Sequence, residues 1–350
     1  MNSVFPIRLK QARKMRGWSM DELCAKANKS ISKQSISKYE SGKMMPDSST
    51  LILLSNVLGL NVDYFFRAYT VSIDRIAFRK KSKLGVKEID SIKEIVKDKL
   101  ERYYEVEELN GIKPERTQRY NNIVVQDEKD VCAIAAKVKH DWKLGDDGVN
   151  NLIETLEENA IKVIEVDAPQ SFDGLCGYVN GDNPIIVLNK NFESERKRFT
   201  ALHELGHLLL CFDESIGDKQ REKFCNLFAG EMLITSDVFI QRLGLNRRDI
   251  SLRELIDIQV QYGISIDELM YKAKELNIIT DSRYKTFQKK KNVVAHFKQS
   301  VEASRANEER SDRFSRLVYR ALANEIITIS KASALLGCSV GEVRSQLNLV

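Results

Sequence analysis

A chain of 350 residues, 43% hydrophobic and 30% charged, with five prolines and seventeen glycines, has the composition of a soluble globular protein of two or three domains. That composition excludes a largely disordered or collagen-like chain, and no apolar run reaches the roughly eighteen residues of a membrane span. The net charge of +5 is unevenly spread: residues 1–67 hold eleven Lys or Arg against five acids, giving +6 there and −1 over the other 283. A basic head on a nearly neutral body points to a nucleic-acid-binding module joined to a different activity. The first residues show no basic region followed by an apolar stretch, so a cytoplasmic protein is expected. Six cysteines (Cys24, Cys132, Cys176, Cys211, Cys225, Cys338) without C-x-x-C pairing suit reduced, mostly buried thiols.

The head carries helix signals at short intervals. Ile7, Leu9, Ala12 and Met15 fall on one helical face, which Gly17 interrupts. Ser19-Met-Asp-Glu22 is a capping box opening a second helix through Ala27. Ser32 caps a helix from Lys33 to Glu40 that stops at Ser41-Gly42. Pro46-Asp-Ser48 opens a fourth, with Leu51, Leu54, Val57 and Leu58 on one side, and Asn61 to Phe66 can form a fifth. Five short helices with a tight turn between two of them suggest a helix-turn-helix bundle.

Arg8-Leu-Lys-Gln-Ala-Arg13, Gly17-x-Ser19, Glu22-Leu23, Ile36-Ser-x-Tyr-Glu40-x-Gly42 and Pro46 resemble, in order, the repressor-type XRE helix-turn-helix domain over residues 5–67. The segment from Leu23 to Ile36 is about two residues longer than that family usually has, a difference that bears on the tilt of the recognition helix. The resemblance implies that Lys33 to Glu40 enters the major groove of an operator duplex. There Gln34 can pair bidentately with adenine and Lys33 can donate to guanine. Ser37 and Lys38 lie one turn on, suited to a base edge or phosphate, and Lys43 suits a phosphate, while Ile36 and Tyr39 should face the bundle core. Two half-sites, the usual target of such domains, imply a homodimer.

Residues 68–127 form a connecting region: a strand from Ile73 to Arg79, a basic bend at Lys80 to Lys83, and a long charged helix from Lys87 to Glu108 with Ile92, Ile95, Leu100 and Tyr104 near one face. That helix reads as a spacer or packed arm, with a dimerising arm as the alternative. From 128 the pattern turns to mixed α and β. Helices are expected over Asp130–Lys143 and Val149–Asn159, a strand over Ile161–Val166, and a hairpin from Gly174–Asn180 and Ile185–Asn189 leading into a helix at Ser194.

That helix holds His203-Glu204-Leu-Gly-His207. Two histidines four apart lie on one face, so both imidazoles can reach one tetrahedral zinc ion, and Glu204 stays close enough to act as general base toward water. Zinc asks for a third protein ligand. Arg221 to Glu231 reads as a helix with Phe224, Leu227 and Phe228 on its apolar stripe, and Glu222 and Asn226 share a face of it. If the two helices pack together, Glu222 can complete the site and Asn226 can accept from a ligand histidine. Asp213, Glu214 and Asp218 in the connecting loop compete as third ligands. Cys211 and Cys225 are thiol candidates whose apolar neighbours favour core packing.

Phe172-Asp-Gly174, Ile185-Ile-Val-Leu-Asn189, Arg198-Phe-Thr-x-x-His-Glu-Leu-Gly-His207, Glu222-x-x-x-Asn226-x-Phe-Ala229 and Tyr262-Gly-Ile-Ser265 are similar, in order, to the ImmA/IrrE metallopeptidase family, over roughly 70–345. The resemblance implies a zincin-like domain with zinc at His203, His207 and Glu222 and Glu204 as general base. It also implies proteolysis of one or a few regulatory proteins, such as a repressor or a toxin–antitoxin partner encoded nearby, in derepression or stress response. Thr235 stands where that family usually has a proline. The competing class is a non-proteolytic operator-binding regulator or antitoxin that uses the zinc fold to bind a partner. Tyr178, Tyr262 and His296 are candidates to stabilise an oxyanion, and substrate is expected to pair with an edge strand at Pro184–Leu188.

The tail carries Lys289-Lys-Lys291, amphipathic helices near 308–323, 330–337 and 339–347, and a capping box at Ser339-Val-Gly-Glu342. A plain helical cap, a docking surface and a second helix-turn-helix-like unit are its readings. The expected architecture is α+β: an all-α head (1–67), a connecting strand and helix (68–127), a central α/β domain with a small sheet (128–280) and a helical C-terminal region (281–350).

Overall fold

The computed structural model describes residues 4–68, 73–76, 84–113 and 124–347. They gather into two compact units, one of Met1–Pro114, Val179–Gly181 and Asp312–Val350 and one of Glu115–Tyr178 and Asp182–Ser311.

The first unit begins with α1 (Phe5–Met15), α2 (Met20–Lys26), α3 (Lys33–Glu40), α4 (Ser48–Leu58) and a 3-10 turn over Val62–Phe66. The capping signals act as read: Ser19 and Glu22 form a reciprocal box, Ser32 accepts from the Ser35 amide, and Asp47 accepts from the Thr50 amide. The core comprises Phe5, Leu9, Ala12, Leu23, Ile36, Leu54, Leu58 and Phe65. Ile7, expected on the buried face of α1, is 53% exposed; Phe5 and the aliphatic part of Arg8 take that side instead. The long segment between α2 and α3 is accommodated by two successive left-handed residues, Asn28 and Lys29, with Ile31 buried beneath them.

A strand, β1 (Ile73–Ile76), precedes α5 (Val86–Leu109); the remainder of the strand expected to Arg79 and the basic bend at 80–83 lie outside the described residues. α5 is a packed arm. Its buried apolar residues are Ile92, Val96, Leu100, Tyr103 and Val106, while Ile95 and Tyr104 are only half-buried. It is tied to α1 by Gln11 donating to Glu94 (2.9 Å), Lys14 to Asp90 (3.0 Å), the Ser91 hydroxyl to the Met15 carbonyl (2.7 Å) and the buried Arg8–Glu101 pair (2.8 Å).

The second unit opens with β2 (Val124–Val125), α6 (Glu128–Asp141) and α7 (Leu152–Glu158), followed by β3 (Lys162–Val166), β4 (Gly174–Val179) and β5 (Asn183–Asn189). β5 lies between β4 and β3 and pairs in parallel with β3, from Lys162 opposite Ile185 to Val166 opposite Asn189. Because both its edges are taken and Pro184 to Leu188 are buried, β5 is not the edge strand expected to accept a peptide. Then come α8 (Ser194–Leu209), β6 (Cys211–Phe212, parallel to β2), α9 (Asp218–Leu233), α10 (Ser236–Leu243), α11 (Leu252–Tyr262), α12 (Ile266–Glu275), α13 (Asp281–Val293) and α14 (Ala295–Glu302). One apolar core joins them, and α8 packs on both β5 and α9. Thr235, in place of a proline, caps α10 with its side chain.

Residues 303–311, expected to be partly helical, instead form a non-helical strap over the first half of α8. Glu195 accepts from the Ser304 hydroxyl and the Arg305 and Ala306 amides, and the fully buried Glu309 receives Arg198 together with the Leu152 and Ile153 amides at the start of α7. The chain closes with α15 (Arg313–Ala323), α16 (Ile329–Leu336) and α17 (Val340–Gln346) in the first unit. Arg313 donates to Tyr103 and Glu107 of α5, Arg102 to the Leu335 carbonyl, and Asn110 to the Leu317 carbonyl. The stretch from 281 therefore divides: Phe287 and Val301 join the central core, whereas α15 packs on α5, α16 on α15 and α17 on α16.

Candidate metal centre and nucleic-acid interface

α8 and α9 set the centre because they run side by side at close range. Gly206 is the reason they can: an added Cβ there would meet Cys225 of α9 at 3.3–3.4 Å, including its backbone Cα. Across that contact, the imidazoles of His203 and His207 turn their Nε2 atoms to within 3.1 Å of each other. The Glu222 carboxylate lies 3.3 Å from one and 3.6 Å from the other. Among the described residues these three form the one group of His, Cys, Asp or Glu side chains able to share an ion, with donor atoms within 4.8 Å of one another. The rest of each ring is engaged as well. Nδ1 of His203 lies 2.7 Å from Oδ1 of Asn226, and Nδ1 of His207 lies 3.0 Å from the Cys225 sulfur.

Glu204 follows His203 on α8 and is half-buried. Asp213, Glu214 and Asp218 stay outside the group: Asp213 is engaged by the Ser215 hydroxyl and amide, which hold its carboxyl below the usual range, and the other two are exposed. Cys211 is exposed in β6, whereas Cys225 is buried in the core. Of the three oxyanion candidates, the Tyr178 hydroxyl reaches the Leu208 carbonyl at the end of α8 (3.4 Å). Tyr262 is buried in the core, its carbonyl receiving Arg198, and His296 is exposed on α14.

Several motif residues hold the scaffold instead. Asn189, wholly buried, donates to the carbonyls of Ala168, Pro169 and Phe172 at 2.9–3.0 Å and so folds the loop before β4. Arg198 joins α8 to the strap, to the Val149 carbonyl and to the end of α11 through the Tyr262 carbonyl. Its partner Glu309 carries no local sequence signal, since the two are 111 residues apart and meet only in the fold.

In the head, Lys33, Gln34, Ser37 and Lys38 are exposed on α3 while Ile36 and Tyr39 are buried, and Lys43 is exposed after the helix. The Lys33 ammonium donates to Asp21 of α2 (2.7 Å), but both side chains are largely exposed, so this pair is worth at most about 1 kcal/mol and yields readily to a phosphate or base. α3 is fixed to α1 by Arg13, which grips both Glu40 oxygens at 2.6 and 2.7 Å and the Trp18 carbonyl at 2.7 Å.

Comparison with known families agrees with both halves. Residues 9–65 match the helix-turn-helix model, and residues 156–274 match the IrrE N-terminal-like domain, a peptidase family. The chain thus joins an XRE-type helix-turn-helix domain to an IrrE/ImmA-like metallopeptidase domain, as the order of motif residues led us to expect. A curated relative is the SPbeta prophage-derived uncharacterized HTH-type transcriptional regulator YonR of Bacillus subtilis (strain 168), 35% identical over 71 residues. Those residues are 20% of this chain and 64% of the relative, so the chain spans just under two thirds of that relative's length. No helix among the described residues is long and apolar enough to cross a membrane.

Proposed function

We propose that the protein is a cytoplasmic, operator-binding regulator whose central domain is a zinc-dependent endopeptidase acting on one or a few regulatory proteins, a repressor or toxin–antitoxin partner among them. The observation that carries this reading is the convergence of His203, His207 and Glu222 on one point, with Glu204 on the same helix as the two histidines.

The donor set fits zinc: two imidazole nitrogens and a carboxylate oxygen face one another, and Asn226 and Cys225 occupy the opposite ring nitrogens. When bound, zinc supplies Lewis acidity toward a peptide carbonyl and acidifies water. Glu204 then takes the proton of the attacking water and hands it to the departing amine. Asn226 keeps His203 in the tautomer with Nδ1 protonated, leaving Nε2 bare for the ion. A role in derepression or stress response is what the resemblance to the ImmA/IrrE family implies.

The second reading, a regulator that binds operator and partner without cleavage, is favoured by the likeness of part of the chain to a relative named as a transcriptional regulator. Incubation of the purified protein and zinc with the product of the adjacent gene separates the two. Cleavage that stops in Glu204→Gln supports the protease; an intact partner retained in a stable complex supports the other.

A further inference from the structure

We propose that Cys225 is a positioning residue of the metal centre, its thiol holding Nδ1 of His207 as Asn226 holds Nδ1 of His203, so that both Nε2 atoms are turned toward Glu222. This rests on reading His203, His207 and Glu222 as a metal site.

Three observations converge on it. The Cys225 sulfur is 3.0 Å from Nδ1 of His207, on the side of the ring away from Nε2, which lies among the other donors; it therefore cannot share the same ion and can act only through the ring. Cys225 is completely buried, so the contact is shielded from competing water. The helix contact is built around it: Gly206, between the two histidines, leaves just the space that the Cys225 Cβ and sulfur fill.

The chemistry follows from the ligand's tautomer. A histidine that gives Nε2 to a metal carries its proton on Nδ1, and that proton needs an acceptor. Thiol sulfur is a weaker acceptor than an amide or carboxylate oxygen, so the two histidines are held unequally: firmly by Asn226, more softly by Cys225. The adjacent pair Cys225-Asn226 thus serves one ligand each from neighbouring positions of α9. Sequence alone marks Cys225 as a core residue, and core it is; its polar role appears only when α8 is laid against α9.

The test uses the full-length protein and titrates cobalt(II) and zinc into wild type, Cys225→Ala, Cys225→Ser and His203→Ala. Alanine should weaken binding about 10–100-fold without changing stoichiometry, and serine, whose hydroxyl also accepts, should recover most of the loss. Long-range proton–nitrogen spectra of the zinc-loaded wild type should place the His207 proton on Nδ1. The proposal is overturned if alanine binds within about twofold of wild type, if serine is as weak as alanine, or if wild type shows a thiolate-to-cobalt charge-transfer band that alanine lacks, which would make Cys225 a ligand. Should wild type and His203→Ala bind cobalt alike, the metal-site reading itself fails, and this inference falls with it.

Discussion

Oδ1 of Asn226 sits 2.7 Å from Nδ1 of His203, across the α8–α9 contact and four residues on from Glu222. One face of α9 thus supplies both a charged donor and the group that orients another donor. Alanine at His203, His207 or Glu222 should abolish tight zinc binding. Asn226→Ala should weaken it about 10–100-fold, and Glu204→Gln should leave it nearly unchanged while removing proteolysis. Metal analysis after gel filtration reads the first part; stoichiometric zinc in a His203→Ala, His207→Ala double variant would disprove the ligand assignment.

Gly206 offers a separate handle on the same centre. Adding one methyl group there places it 3.3 Å from the Cys225 Cα, and backbone cannot rotate away as a long side chain can. Gly206→Ala should therefore push α9 outward, costing about 1–3 kcal/mol of stability and lowering zinc affinity although no polar group is removed. Urea denaturation with and without zinc measures both. Unchanged affinity with lowered stability would mean that the centre tolerates a wider helix spacing.

What was legible in the sequence is what depends on local spacing. The i, i+4 histidines, the face shared by Glu222 and Asn226, and the caps at Ser19, Ser32 and Ser339 are all settled within a few residues, and the fold realises them. Long-range pairing was not legible. Nothing near residue 309 announces that its carboxylate will neutralise Arg198, and nothing in Pro184–Leu188 distinguishes a central strand from an edge. The misplaced Ile7 has a different cause: the bundle buries the aliphatic stem of Arg8, whose charged end reaches Glu101, and hydrophobic periodicity assigns such a residue to the surface.

The Glu268 carboxyl, in the first turn of α12, titrates at about 7, raised by burial, with Lys272 opposing the shift and Asp267 adding to it. An unfolded glutamate titrates near 4.5. Between those values the folded chain holds a proton that the unfolded chain has released, so the stabilisation is complete below the unfolded value and is lost as pH rises to about 7, to the extent of about 3 kcal/mol. Glu268→Gln, which cannot ionise, should be more stable than wild type at about pH 8 and nearly equal to it at about pH 4.5. Parallel stability curves for the two proteins across that range would show that Glu268 does not carry this dependence.

Arg13 and Glu40 bind α3 to α1 with both side chains largely buried, so removing one partner strands the other. Arg13→Ala should destabilise the head by about 3 kcal/mol, against a smaller loss for Arg13→Met, Glu40→Gln combined, in which neither charge is left alone. Thermal melts of wild type and the two variants decide this. Equal losses would mean that packing, not the charge pair, holds α3 in place.

The last prediction concerns DNA reading by α3. Gln34, Ser37 and Lys38 are exposed together on one side of that helix, and Lys33, at its first position, is tethered only by the exposed Asp21. Displacement of counterions by this basic head should make duplex binding fall steeply with salt. A bidentate amide contact is worth about 1–3 kcal/mol of base discrimination, so Gln34→Ala should lose that much at one operator position and relax sequence preference there. Lys43 lies beyond the end of the helix, where a cation meets phosphate, so Lys43→Ala should weaken all duplexes alike and flatten the salt dependence. Asp21→Ala frees the Lys33 ammonium and should strengthen binding to any sequence, most at low salt. Selection from a random duplex pool at moderate salt, repeated with Gln34→Ala, tests the assignment. A pool with no preferred sequence, or one that the substitution leaves unchanged, would mean that α3 is not the element that reads bases.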